Sequence, residues 1–272
     1  MVNYSAELME FYRMSSQVSG IAAAIKEMEP RLPPDHTFVD IGAHSGLLTK
    51  EIIRHLNPAA AYACEPLPDP YQTLRRRRYH KETSVTVDNL DFAGWYRKHG
   101  SRLEGKVDLL LNSHTFCHYP QRSWEGVFEK CSGLLSQAGL HIIIIDAEQN
   151  PLALLKPEVE KKLKGIRKVP VYGNFVTGYD IEQFLKARNI AYERGGIEKP
   201  ITIKLSDDSE RQFARLLGFL FRYRAEDVMH YADPLIKKHL NRYGPFRTSF
   251  GVKSQPVFQI PRVQDVFLLG KS

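Results

Sequence analysis

Phe38-Val39-Asp40-Ile41-Gly42-Ala43-His44-Ser45-Gly46 decides the fold of this 272-residue chain: an apolar strand ends in an acid, turns through glycine and enters a helix. Glycine at 42 lets the backbone turn tightly, and glycine at 46 lets backbone and ligand approach closely. The same rhythm repeats outward from this stretch. The pattern predicts strands at Thr37–Ile41, Ala61–Cys64, Val85–Val87, Val107–Leu111 and His141–Ile145. Helices are expected between them at Leu47–Leu56, Pro70–Arg78, Phe92–His99 and Ser123–Leu135. Apolar strands alternating with helices mean a mostly parallel sheet, and runs as apolar as Val107–Leu111 mean a sheet covered on both faces.

The flanks depart from that rhythm. Residues 5–28 place Leu8, Phe11, Tyr12, Val18, Ile21, Ala22 and Ile25 at helical spacing before Pro30, Pro33 and Pro34 stop the helix. We therefore read residues 1–36 as a helical cover and 37–272 as the main domain. Pro151, Pro157 and Pro170 around a Lys-rich helical piece mark an insertion at 148–175, and 206–241 reads as two helices, the first burying Phe213, Leu216, Leu217, Leu220 and Phe221. A helix at Tyr179–Arg188 and strands at Ala191–Gly195 and Ile201–Leu205 lie between them, and the tail Val257–Leu269 is expected to supply strands that close the sheet.

The formal charge of +7 raises the question of a polyanionic partner, but the excess is spread along the chain. Only Arg75–Arg78 is compact, and it reads as a solvated helix face, with a seat for an anionic ligand as the alternative. Cys64, Cys117 and Cys131 match no zinc spacing and sit among apolar neighbours, so they read as reduced thiols. Neither a secretory signal nor a membrane-spanning run is visible, which points to a cytoplasmic protein.

Glu65, at the end of the second strand, is expected beside the glycine turn, where a carboxylate can accept hydrogen bonds from both hydroxyls of a ribose. The bland alternative is an ordinary strand, turn and helix capped by Ser45. Among ribose ligands, a nicotinamide or flavin dinucleotide calls for G-x-G-x-x-G, and Gly42-Ala43-His44-Ser45-Gly46-Leu47 lacks two of those glycines.

The stretch instead resembles motif I of class I S-adenosylmethionine (SAM) methyltransferases, with Asp40, Gly42 and Gly46 matching and His44 standing where the family has its central glycine. Asp88-Asn89 resembles the site for the adenine amino group, and Asn112-Ser113 the site beside the methionine part. Leu135–Leu140 resembles the family's helix, glycine turn and strand signature. The resemblance implies a Rossmann-like α/β fold with a seven-stranded sheet. It also implies SAM as cofactor, held by Asp40, Gly42, Ala43, His44, Gly46, Glu65, Pro66, Asp88, Asn89, Asn112 and Ser113.

A narrower likeness covers most of the chain. Phe11-Tyr12-Arg13, Cys64-Glu65-Pro66 and Phe175-Val176-Thr177 leading into Asp180–Leu185 make it similar to the histamine N-methyltransferase family, as do the aromatic helix Leu216–Tyr223 and the last strand Val266–Leu269. That family holds its cationic amine with a carboxylate in the N-terminal helix. The neutral Gln17 stands near that position, and His118-Tyr119 align with the family's paired tyrosines. The resemblance therefore implies a related architecture with a neutral or weakly basic acceptor.

His114, Phe116, His118 and Tyr119 leave the fourth strand on the rim where open parallel sheets bind ligands. His118, His114 and Tyr119 are the candidates for substrate contact or proton handling, with Tyr12, Gln17 and Phe116 as further substrate contacts. An acceptor pocket is expected between the N-terminal helix and Asn112–Tyr119, under residues 148–175. His114 and His118 stand four apart, but in a loop and without an adjacent acid, so no metal is expected. The leading expectation is methyl transfer from SAM to a nitrogen of a small heteroaromatic molecule in specialised metabolism. Alternatives are a small-molecule O-methyltransferase, an RNA-modifying or RNA-binding protein with Arg75–Arg78, Arg97, Lys98 and Arg102 as a phosphate track, and an idle SAM-binding regulator. No RNA-binding module is visible and no aromatic residues interleave regularly with those charges, which argues against nucleic acid.

Overall fold

A computed structural model of the chain describes residues 17–166, 176–198, 201–204, 208–221, 223–242, 246–247, 256–260 and 262–271. The chain divides into two units. One comprises Val18–Ala147, Gly173–Ile197 and Gln264–Ser272, and the other Met1–Gln17, Glu148–Tyr172 and Glu198–Val263.

The first unit is built on strands β1 Thr37–Ile41, β2 Ala60–Cys64, β3 Ser84–Asp88, β4 Val107–Ser113, β5 Leu135–Asp146, β6 Glu193–Glu198 and β10 Val263–Gly270. They form one seven-stranded sheet in the order β3-β2-β1-β4-β5-β10-β6. The first five pair in parallel, and β10 runs antiparallel to β5. Strand order reverses between β1 and β4, which makes the crevice beyond their carboxyl ends the expected ligand site of such a sheet.

Helices α1 Gln17–Lys26, α2 Leu47–Leu56, α3 Pro68–Arg76, α4 Phe92–Leu103, α5 Trp124–Leu134 and α7 Gly178–Ala187 accompany this sheet. Successive strand residues point to opposite faces. Phe38, Leu109, Leu111, Ile142 and Ile144 share a core with Ile21, Ile25, Ile52 and Ile53 of α1 and α2. Val39, Ile41, Leu110, Ile143 and Ile145 share the other with Trp95, Trp124, Phe128 and Phe184 of α4, α5 and α7. Because both faces are covered, the strands read as unbroken apolar runs. Local chemistry sets the helix starts: Asp91 accepts the Gly94 N–H at 2.7 Å ahead of α4, and Thr177 and Asp180 form a reciprocal cap on α7.

The second unit contains α6 Pro151–Lys162, β7 Ile201–Lys204, α8 Ser209–Phe221, α9 Ala225–Arg242, β8 Phe246–Arg247 and β9 Pro256–Ile260. Leu155 and Val159 of α6 share one core with Phe213 and Leu217 of α8, Val228 and Ile236 of α9, and Ile260. The insertion and the helical region, which look separate in sequence, thus bury each other's apolar faces.

Three sequence expectations are corrected. β9 pairs with β7 in a separate three-stranded sheet, so only the second tail strand joins the main one. A period of two identifies a strand but not its partner. β5 already begins at Leu135, with Gly139 inside it, because a side chain at 139 would come within 2.5 Å of the Val107 carbonyl and glycine alone permits that approach. The third helix ends at Arg76, which leaves Arg77 and Arg78 beyond it.

Candidate functional site

The chain leaves β1 through three left-handed residues in five: Gly42 at φ 74°, His44 at φ 48° and Gly46 at φ 71°. The N–H groups of Gly42 and Ala43 both donate to the Cys64 carbonyl at 3.0 Å, docking the turn on the end of β2. A Cβ on Gly42 would meet Thr115 Cγ2 at 2.4 Å, and one on Gly46 would meet Leu74 Cδ1 at 2.4 Å. Both glycines therefore answer to backbone hand and to close approach. His44 takes the left-handed conformation without being glycine, since histidine enters that region more readily than most residues. Its ring is buried, and burial, followed by the nearby His118, pushes its pKa down to about 4. It is neutral at pH 7.

Two buried acids flank the turn. Asp40 accepts the Thr49 hydroxyl at 2.6 Å, and its carboxyl is pushed up to about 7, chiefly by burial, with the Glu65 charge adding to the rise and the Thr49 bond opposing it. Glu65 Oε2 accepts the His44 N–H at 2.9 Å and Oε1 the Leu67 N–H at 2.8 Å. Burial raises its pKa and those two bonds restrain the rise. A carboxylate has about four acceptor positions, so each oxygen retains capacity for one more donor.

At the end of β3 the expected pair separates. Asp88 is buried and bonded to Lys98 at 2.5 Å and to His99 Nε2 at 2.8 Å, both on α4. Asn89 instead donates to the carbonyls of Glu65 at 2.8 Å and Pro66 at 3.1 Å, tying β3 to the edge of β2. Ser45 does not cap the helix. Its hydroxyl is 2% exposed and has no hydrogen-bond partner among the described residues, and α2 starts from Gly46.

At the end of β4, Asn112 is 0% exposed, accepts His141 Nε2 at 2.8 Å and donates to the Thr115 hydroxyl at 2.7 Å. Burial pushes the His141 pKa down to about 3, so the ring is neutral and its proton lies on the nitrogen facing Asn112. His141, Asn112 and Thr115 thus form a buried brace that ends against Gly42. Ser113, half-buried, follows. His114 turns left-handed at φ 55°, donates its N–H to the Ile144 carbonyl at 2.8 Å and receives Gln264 on ring Nε2 at 2.5 Å.

Phe116 is 0% exposed and packs on Tyr119, Trp124 and Phe128 with ring centroids 5.8, 5.6 and 4.9 Å away. It serves the core and is not offered to a substrate. The Tyr119 ring packs at the edge of that cluster, and burial holds its hydroxyl well above the usual phenol range. His118 is exposed at the rim. Gln17 is 2% exposed and accepts a hydrogen bond from the Arg262 guanidinium. Tyr12 lies outside the described residues.

Sequence reasoning missed Thr49, Thr115 and His141. Each had a faint signal: a threonine on the apolar face of α2, a threonine three residues after Asn112, and a lone histidine opening the apolar run 141–145. Among the described residues no three His, Cys, Asp or Glu side chains converge to hold a metal, and no helix is long and apolar enough to cross a membrane. Cys64 and Cys131 are buried, Cys117 is half-buried, and none is in a disulfide.

No family model matches the chain, and no curated protein matches it in sequence. Solved structures do share its fold. A candidate methyltransferase of Bacillus halodurans C-125 superposes with a TM-score of 0.53 at 12% identity, over 94% of this chain and 97% of that one. The plantazolicin methyltransferase BpumL, solved with a monoazolic desmethylPZN analog and SAH, gives 0.51 at 10% identity over 98% and 90%. The mycolic acid cyclopropane synthase CmaA1, solved with SAH and CTAB, gives 0.51 at 11% identity over 91% and 83%. At these identities the likeness establishes the fold: a Rossmann-like, mostly parallel seven-stranded sheet of the kind found in SAM methyltransferases.

Proposed function

We propose that this chain is a SAM-dependent methyltransferase that methylates a nitrogen of a small, neutral heteroaromatic molecule. Glu65 carries the reading. Its carboxylate is held by two backbone N–H groups at the end of β2, beside a left-handed glycine turn, and each oxygen keeps room for a ribose hydroxyl. Two proteins of the same fold were solved with SAH, the demethylated cofactor, which supports the choice of ligand.

The residues fit that group. Glu65 would take the ribose, the Gly42–Gly46 turn would approach the amino-acid part, and the buried Ser45 hydroxyl would gain a partner there. Asn89, with its amide nitrogen spent on the β2 edge, would offer its carbonyl to the adenine amino group, while Asp88 and Asn112 hold their strands in place. Bound SAM supplies an electrophilic methyl carbon on a sulfonium, so catalysis consists largely of holding donor and acceptor in line and excluding water. A neutral aromatic nitrogen needs only its lone pair exposed. His118 is the rim residue suited to accept a proton where the acceptor carries one. The neutral Gln17, near the position of the resembling family's amine-binding carboxylate, supports poor use of histamine.

Calorimetry with SAM, SAH and NAD tests the cofactor: the first two should bind and NAD should not. Glu65→Ala should weaken SAM by about 1.5 to 3 kcal/mol, the loss of one charge-assisted hydrogen bond. Unchanged affinity would remove Glu65 from the site. A screen of acceptors with labelled SAM, read by product mass spectrometry, then separates nitrogen from oxygen methylation.

A further inference from the structure

We propose that the basic cleft between α2 and α3 binds a small, multiply charged phosphate-bearing molecule of about nucleotide size, at a site separate from the glycine turn. The cleft has a volume of about 500 Å³ and is lined by Lys50 of α2, by Gln72, Thr73 and Arg76 of α3, and by Arg77 and Arg78 just beyond it. That volume is room for a small ligand, in a shallow cleft that is open to solvent. The inference does not depend on what occupies the turn.

Four of the six lining residues are cations and none is an acid. Among the described residues none of the four takes part in an ion pair. Elsewhere in the same unit several long cations are held by acids. Lys98 pairs with Asp88, Arg54 with Glu51, Arg188 with Glu125, and Arg194 with Asp265 and Glu182. Gathering four like charges around one concavity raises its potential, and an anion bearing several charges relieves it. Arg77 is anchored: its Nε donates to the Ser45 carbonyl at 2.8 Å, which leaves the terminal nitrogens of the guanidinium as a pre-oriented fork for phosphate oxygens. Gln72 and Thr73 add neutral hydrogen-bonding groups that a bare counter-ion would not need.

The size of the cleft favours a small molecule over a nucleic acid. Of the three residues through which a phosphate track would continue, Arg97, Lys98 and Arg102, two are engaged: Lys98 is committed to Asp88, and Arg102 lies over the Tyr62 ring at 5.3 Å while bonding its hydroxyl at 3.1 Å. Arg75, first of the arginine block, does not line the cleft.

The test is calorimetry on the full chain without SAM, at low salt, using pyrophosphate, ATP and adenosine. Pyrophosphate and ATP should bind; any adenosine binding, which the ribose seat proposed at Glu65 could supply, should survive the triple variant below. Affinity should fall steeply as salt rises to about 0.3 M. Lys50→Gln/Arg76→Gln/Arg78→Gln, which spares the anchored Arg77, should lose about tenfold or more in pyrophosphate affinity and keep its unfolding temperature. Absence of pyrophosphate and ATP binding at millimolar concentration would overturn the proposal, as would a triple variant that binds both like the unaltered chain. Should Glu65→Ala rather than the triple variant abolish ATP binding, the anion lies at the glycine turn and the cleft is not its site. Should single-stranded RNA bind far more tightly than ATP through the same three residues, the cleft is a nucleic-acid contact.

Discussion

The turn after β1 and the loop after β4 leave neighbouring strands toward the same crevice, yet they are built differently. After β1 the backbone carries the design: two glycines that cannot bear a side chain, a histidine held left-handed between them, and a carboxylate fixed by N–H groups. After β4 the side chains carry it, and they divide. Asn112 and Phe116 turn inward to brace and fill, Tyr119 packs at the core edge, and His118 faces out. The difference teaches that one rim of the crevice is fixed by its backbone, whereas the other is left to residues whose direction depends on packing.

The sharpest way to break the comparison is to add one methyl group on the β1 side. Gly42→Ala combines a left-handed residue with a 2.4 Å collision with Thr115, and should destabilise the fold by about 3 to 5 kcal/mol, summing strain and overpacking. Ser113→Ala, at the end of β4, should change stability by no more than about 0.5 kcal/mol. Chemical denaturation of both measures the contrast. Equal effects would mean that the turn is no more constrained than the loop.

Asp40 sharpens it through pH. With its carboxyl pushed up to about 7, the folded chain holds a proton across a range in which the unfolded chain, with an ordinary value near 4, has released it. Stability from this group is therefore present in full below about pH 4, declines as pH rises through that window, and is lost above about 7. Asp40→Asn stays neutral throughout, so it should stabilise the chain by about 2 to 4 kcal/mol near pH 8 and make little difference near pH 3. A pH-independent difference in unfolding free energy would contradict the burial of a charge there.

His141→Leu probes the brace that connects the two regions. Removing the donor leaves the Asn112 carbonyl buried without it, at a cost of about 1 to 3 kcal/mol, and loosens Thr115 against Gly42. SAM affinity should fall along with stability. A loss of stability alone, seen by calorimetry beside denaturation, would show the brace to be structural only.

The smallest stability effects and the most selective functional ones are expected on the β4 rim. His118→Ala and Tyr119→Phe should leave SAM affinity within about threefold, less than 1 kcal/mol, while lowering acceptor turnover. Full turnover in both would move the acceptor away from this loop.

How much was legible follows the same division. The glycine turn, Glu65 and the five parallel strands stand in the sequence because each is a local demand: glycine where φ is positive, an acid at a strand end, an apolar run where two faces are buried. Period and residue type suffice for such features, and His44 shows that the left-handed hand can be taken without glycine. What only the tertiary structure decided is direction and partnership. Adjacent residues on an extended strand point to opposite sides, so Asp88 went to α4 while Asn89 tied the β2 edge. Asn112 became a brace because His141, 29 positions later, lies within hydrogen-bonding reach on the next strand. β9 left the main sheet for β7, and Arg76–Arg78 gathered with Lys50 around a cleft although 26 residues separate Lys50 from Arg76. Those outcomes depend on long-range pairing, whose energy lies in contacts between segments distant along the chain and therefore leaves no periodic mark within any one of them.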